Sequence, residues 1–178
     1  MFLFCNENLS GETCIISNSD IEFDDTLSII KNEDLEGHFL CLSRWDKQAD
    51  GSLAYHRAAD SQDCWIFKSP VPPSMTVESN FFMGQCGCDN RIAYVAKKCG
   101  LMPTNPSPLI RPIHHHLSEY RTYKWAERVD GYYLRVYPAD DWDVSRLGSD
   151  ICLYEEITDR ETFRSAVRLH FEEKEEGV

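Results

Sequence analysis

Four stretches of the chain combine residue types at spacings that can do chemistry. The first, Asn18-Ser19-Asp20-Ile21-Glu22-Phe23-Asp24, sets an amide and a carboxylate one residue apart, directly after an apolar run. In an extended turn, positions i and i+2 face the same ligand, and such hard oxygen donors suit Mg2+ or Mn2+. An ordinary strand-to-helix turn with Asp24 as N-cap accounts for the same residues. The second stretch is His114-His115-His116. If it is extended, His114 and His116 share one face, and neutral imidazole is a good transition-metal ligand. The third, Phe81 to Asn90 (FFMGQCGCDN), has glycines that permit close backbone approach ahead of a carboxylate, Asp89, at a helix start. A carboxylate there can take a proton from an acceptor hydroxyl, or simply cap the helix. The fourth, Ser61-Gln62-Asp63-Cys64-Trp65, feeds polar residues into a buried run. No GxSxG elbow supports a Ser/His/Asp hydrolase.

The hydrophobic pattern places the elements that must position these residues. Thr13–Ser17 (TCIIS) is a continuous apolar run of the kind found in buried parallel strands, and it ends at Asn18. Asp24-Asp25 opens a short helical pattern through Leu27, Ile30 and Lys31. His38–Ser43 (HFLCLS) and Cys64–Lys68 (CWIFK) read as further buried strands, and Pro70–Pro73 forces a break. From Asp89 to Cys99 the spacing predicts a helix with Asp89 as N-cap, Ile92, Val95, Ala96 and Cys99 on one face, and Gly100 closing it. Leu109–His116 is extended and Tyr132–Tyr137 is a strand. Thr158-Asp159-Arg160-Glu161 is a capping box opening an amphipathic helix through Phe163, Ala166, Val167 and Phe171, with an acidic end at Glu172–Glu176. Strands alternate with helices, so the expected class is α/β with a mostly parallel sheet and an antiparallel part later. One domain spans 1–150, and 151–178 forms a C-terminal helix and tail. Ligands of such sheets bind beyond the carboxyl ends of the strands, which directs attention to Asn18–Asp20.

Composition narrows the function. The 178 residues carry 18 Lys+Arg against 30 Asp+Glu, a formal charge of −12, which disfavours a phosphate backbone and so nucleic acid. With 42% apolar and 12% aromatic residues the chain can build a core. Its apolar runs fall far short of the ~20 residues of a membrane span, and no basic then apolar opening marks a secretory signal. Cysteines at 5, 14, 41, 64, 86, 88, 99 and 152 mostly sit in apolar runs, as small core hydrophobes, and read as reduced thiols of a cytoplasmic protein. Cys86-Gly87-Cys88 is not a CxxC, and no second pair stands at zinc spacing.

Six blocks in order, NSDIEFDDTL (18–27), LSRWD (42–46), SQDCWIFK (61–68), GCDNRIAY (87–94), NPSPLIR (105–111) and HHHLSEYRTY (114–123), resemble a glycosyltransferase-like family with a GT-A type nucleotide-diphospho-sugar fold. The resemblance covers roughly residues 12–137. It implies a Rossmann-like, mixed and mostly parallel sheet flanked by helices, with Mn2+ or Mg2+ holding the diphosphate of a nucleotide-sugar donor. By the same resemblance Asn18-Ser19-Asp20 stands at the DxD position, with Asp20 the metal ligand and His114 or His116 completing the site. Asp89 matches the catalytic carboxylate of inverting members, and Ser61, Gln62, Asp63 and Asn90 line the sugar or acceptor side. Arg121 lies where a fixed positive charge can meet the phosphates.

Two features depart from the family pattern. Asn18 replaces the first acid of DxD, and only Met1–Leu9 precede the metal-motif strand where the family has a nucleoside-binding strand and helix. The fold is therefore expected to be N-terminally truncated, with an open sheet edge covered by a homo-oligomer or a completing partner chain. The reading that follows is a metal-dependent transfer of sugar from a nucleotide-sugar donor to a glycan or other hydroxyl acceptor. Its rivals are an inactive binding or scaffold protein of the same fold, and a metal-dependent hydrolase.

Overall fold

The computed structural model describes residues 1–115 and 128–139 and the backbone of 154–157. After helix α1 (Phe2–Asn8) come β1 (Thr13–Ser17) and β2 (Ile21–Phe23), then a 3-10 helix over Asp25–Asn32. Strands β3 (His38–Leu42), β4 (Trp45–Lys47), β5 (Leu53–Tyr55) and β6 (Cys64–Lys68) precede helices α2 (Pro73–Glu78) and α3 (Cys88–Lys98). Short strands β7 (Met102–Thr104), β8 (Pro112–His114), β9 (Tyr133–Val136) and β10 (Tyr154–Ile157) follow. The class is mixed α/β.

The main sheet runs β1-β6-β3-β7. Strand β6 is antiparallel to both β1 and β3, while β7 is parallel to β3. Thus β1, β3 and β7 point one way and β6 is reversed between them, so two of the three pairings are antiparallel. The sequence expectation of parallel pairing for TCIIS is corrected accordingly. Its burial also alternates, with Cys14 and Ile16 inside and Thr13, Ile15 and Ser17 exposed. The cause is position: β1 is an edge strand covered on one face, and among the described residues no strand pairs with its outer side. The central strands β3 and β6 are covered on both faces, as their unbroken apolar runs require.

Side-chain alternation along β3 and β6 sends Phe39, Cys41, Trp65 and Phe67 to one face and Leu40, Leu42, Cys64 and Ile66 to the other. The first face packs against α1, α3 and β9 through Phe2, Ile92, Val95, Ala96 and Leu134. Phe39 and Phe67 stack at 5.6 Å, and Phe2 closes on Phe67 at 5.3 Å. Each such ring contributes ~2–3 kcal/mol by burial. Ile30, Leu35 and Ile110 cover the second face. Cys5, Cys14, Cys41, Cys64 and Cys88 are buried free thiols, and burial pushes Cys88 up to about 12 and Cys14 up to about 11. They pack as hydrophobes, as their apolar settings imply.

A second sheet runs β2-β8-β4-β5. Here β8 runs parallel to β4 and antiparallel to β2, so His114 lies between Asp46 on one neighbour and Ile21 on the other. The extended stretch is shorter than the expected Leu109–His116, because the amides of Leu109 and Ile110 both turn back to Pro106 O. Strand β10 pairs with β9 antiparallel, which carries the chain past residue 151 onto the domain. Among the described residues no helix is long and apolar enough to cross a membrane.

Helix α3 corrects a second expectation. Its N-cap is Gly87, at φ +77, and not Asp89, which lies in the first turn. A Cβ at Gly87 would stand 3.0 Å from Tyr133 Cε1 as well as forcing a left-handed backbone, so glycine meets two demands at once. Asp24, by contrast, does cap its helix, accepting from Thr26 N at 3.0 Å.

Candidate functional site

The carboxyl ends of β1 and β3 and the amino end of β6 meet at one edge, since Ser17 and Leu42 are both register partners of Cys64. Backbone bonds weld the segments beyond that edge: Asn18 N donates to Asp63 O, and Asp63 N to Leu42 O, each at 3.0 Å. The chain therefore delivers Asn18, Asp63 and the residues after Leu42 to one place. Second-sheet strands add Asp46 and His114, and the start of α3 adds Asp89.

These side chains form one connected network. Asn18 Nδ2 donates to Asp63 Oδ1 at 2.8 Å. Arg44 bridges two carboxylates, with Nε on Asp46 Oδ1 at 2.8 Å and Nη1 on Asp63 Oδ2 at 3.2 Å, and Nη1 reaches Ser61 Oγ at 3.4 Å. His114 lies between two more contacts, Nδ1 to Asp46 Oδ1 and Nε2 to Asp20 Oδ2, both 3.0 Å. Asp20 and His114 are 94 positions apart in sequence, so only the fold joins them. At the other end of the network, Gln62 N donates to Asp89 Oδ2 at 3.3 Å.

Charge is unevenly balanced. Asp20, Asp46, Asp63 and Asp89 face a single guanidinium and one imidazole in the bonds just described. Burial acts against the Asp46 charge, but hydrogen bonding and charge from Arg44, with His114 behind it, hold its carboxyl below the usual range. Asp89 goes the other way. Burial first, and the Asp63 charge second, raise it to about 7. A carboxyl tuned near neutral pH has the protonation behaviour a general base or acid needs. Gly87 takes the N-cap position of α3, and the Asp89 carboxylate accepts from backbone amides of Gln62 and of the first turn, Asn90 among them.

The sequence-expected residues divide. Asp20, His114, Asn18, Ser61 and Asp63 belong to the network, and Asp89 joins it through the Gln62 amide. Gln62 is 2% exposed; its Nε2 donates to Ala59 O at 2.9 Å, and its buried Oε1 has no partner among the described residues. Asn90 points elsewhere: it is 1% exposed and donates to Leu134 O at 2.9 Å, anchoring β9 to α3. His116 and Arg121 lie outside the described residues, as do Cys152 and the expected helix from Thr158. Arg44 and Asp46 were not singled out individually from the sequence. Their signal is a charged i, i+2 pair immediately after a buried strand, at the ligand-binding end of the sheet.

As to a cation, among the described residues no three His, Cys, Asp or Glu converge on one point. Asp20 Oδ2 and His114 Nε2, in hydrogen-bond contact at 3.0 Å, are a carboxylate and an imidazole donor that would together contribute two ligands to a divalent cation such as Mn2+. The cleft of about 260 Å3 between α1 and α2, lined by Phe2, Ser79, Phe81 and Ile92 among others, shares no residue with this network. Comparison with protein-family models, with curated proteins and with solved structures finds no match to this chain.

Proposed function

We propose that the chain transfers a sugar from a nucleotide-diphospho-sugar donor to a hydroxyl acceptor, using a divalent cation at Asp20 and His114 and Asp89 as base. The observation that carries this reading is the 3.0 Å meeting of Asp20 with His114 in one network with a carboxyl tuned to about 7. Support for a Rossmann-like GT-A type fold comes from the three co-directional strands, whose carboxyl ends lead into the network.

Asp20 and His114 would hold a Mn2+ or Mg2+ ion, which would neutralise the diphosphate and ease its departure. Arg44 fixes the Asp46 and Asp63 carboxylates behind them. The acceptor oxygen bonds to the anomeric carbon as the bond from that carbon to the phosphate oxygen breaks. Asp89, ionised, takes the hydroxyl proton, and the nucleoside diphosphate leaves with the bonding electrons.

A second reading, a binding protein of the same fold without transfer, draws on Asn18, whose amide is engaged with Asp63 instead of offering a second carboxylate to a cation. Incubation with uridine, guanosine, thymidine and cytidine diphospho-sugars and Mn2+ separates the two. Release of nucleoside diphosphate that is lost in Asp89→Asn supports transfer. Binding without release in every case favours the second reading, and neither binding nor release refutes both.

A further inference from the structure

We propose that Asp46 is the positioning residue of His114, fixing the ring so that Nδ1 carries its proton and Nε2 faces Asp20. This rests on the cation reading of the Asp20–His114 pair. Strand β8 lies between β2 and β4, and Asp46 is the direct register partner of His114 on the parallel β4. The imidazole is only 10% exposed and meets a carboxylate oxygen at each end, both at 3.0 Å. The two ends are not equivalent. Asp20 is 46% exposed at the rim, open to an incoming ion, whereas Asp46 is 28% exposed and held from behind by Arg44 Nε at 2.8 Å. Arg44 is in turn tied to Asp63 at 3.2 Å, which links Asp46 to the frame of the main sheet.

An ionised carboxylate can only accept, so Asp46 demands a hydrogen on Nδ1. In a neutral imidazole that leaves the lone pair on Nε2, the nitrogen beside Asp20. Removing the acceptor lets either tautomer form and frees the ring to turn. A partner of this kind on the far nitrogen of a metal-binding histidine commonly governs affinity by 10- to 100-fold. A carboxylate at 46 answers both Arg44 Nε and His114 Nδ1, which meet on the same oxygen, Oδ1.

The test titrates the full chain with Mn2+ alone, following free ion by EPR and bound ion by the 14N modulation of a coordinated imidazole. Wild type should show bound Mn2+ with 14N modulation, and Asp20→Ala and His114→Ala should each abolish it. Absence of such binding in wild type overturns the cation reading and this inference with it. Given wild-type binding, Asp46→Ala should weaken it 10- to 100-fold, and Asp46→Asn, whose Oδ1 still accepts from Nδ1–H, should return it to within about threefold. Unchanged affinity in Asp46→Ala, or equal losses in Ala and Asn variants, overturns the inference alone. Should Asp46→Ala fail to fold, long-range 1H–15N NMR of wild type with Mg2+ decides: a hydrogen on Nδ1 of His114 supports the assignment and a bare Nδ1 refutes it.

Discussion

Replacing Asp89 by Asn should make the protein more stable, and increasingly so as pH rises. Asp89 is raised from 3.8 to about 7 because burial, then the Asp63 charge, oppose its ionisation. The direction follows from linkage: a carboxyl whose folded pKa lies above its unfolded value favours folding fully below about pH 4. That contribution is lost as pH climbs through about 7. At about 1.4 kcal/mol per pH unit, forcing the folded chain to carry the charge costs ~2–4 kcal/mol. Asn is isosteric and its oxygen still accepts from Gln62 N, so the substitution removes the charge and little else. Urea denaturation of both proteins at pH 5 and pH 8, at equal ionic strength, isolates the effect because other titrations cancel in the difference. The advantage of Asp89→Asn should grow by about 1–3 kcal/mol between the two pH values. A difference independent of pH, or one that shrinks, would show that Asp89 ionises freely and would remove the basis for its role. Stability gained by deleting a group is what a strained functional carboxyl predicts.

Three further outcomes follow from the same geometry. The pH profile of kcat/KM for donor turnover should rise through about 7 in wild type, as Asp89 ionises, and the rise should vanish in Asp89→Asn. Arg44→Ala strands Asp46 and Asp63 without their shared guanidinium, so urea denaturation should show a loss of about 2–4 kcal/mol, smaller in an Asp63→Asn background; equal losses in both would deny the coupling. Gly87→Ala combines a backbone at φ +77 with a Cβ 3.0 Å from Tyr133 Cε1 and should cost about 1–3 kcal/mol by the same assay, whereas an unchanged midpoint would mean α3 can start another way.

Much of this arrangement is legible in the sequence, and what is not has physical causes. The bounds of β1 and β6 follow from apolar runs ended by polar residues, and β3 ends one residue earlier than its run suggests. Asp20 and His114 were each visible as a donor, yet nothing local says that they meet across 94 positions. Strand direction was illegible because β6, a buried run like its neighbours, reads the same in either sense. Strands β2, β4 and β5 have three residues each, too few for periodicity to register. Asp89 mimics an N-cap in sequence, but the left-handed Gly87 takes that position and puts the carboxylate in the first turn, beside Gln62 N. Arg44 and Asp46 acquire meaning only once His114 lies beside them on β8.

Asp20 and His114 are proposed above to make a cation-dependent diphosphate site. Its most direct test is thermal unfolding with uridine, guanosine, thymidine and cytidine diphosphates, each with Mn2+ and with chelator. A nucleotide present at 100 times its Kd stabilises the fold by ~2.7 kcal/mol, a clear rise in Tm. The account predicts such a rise for at least one nucleotide, present with Mn2+, absent with chelator and lost in Asp20→Ala. No rise with any of the four, or one indifferent to Mn2+ and to Asp20, would contradict it.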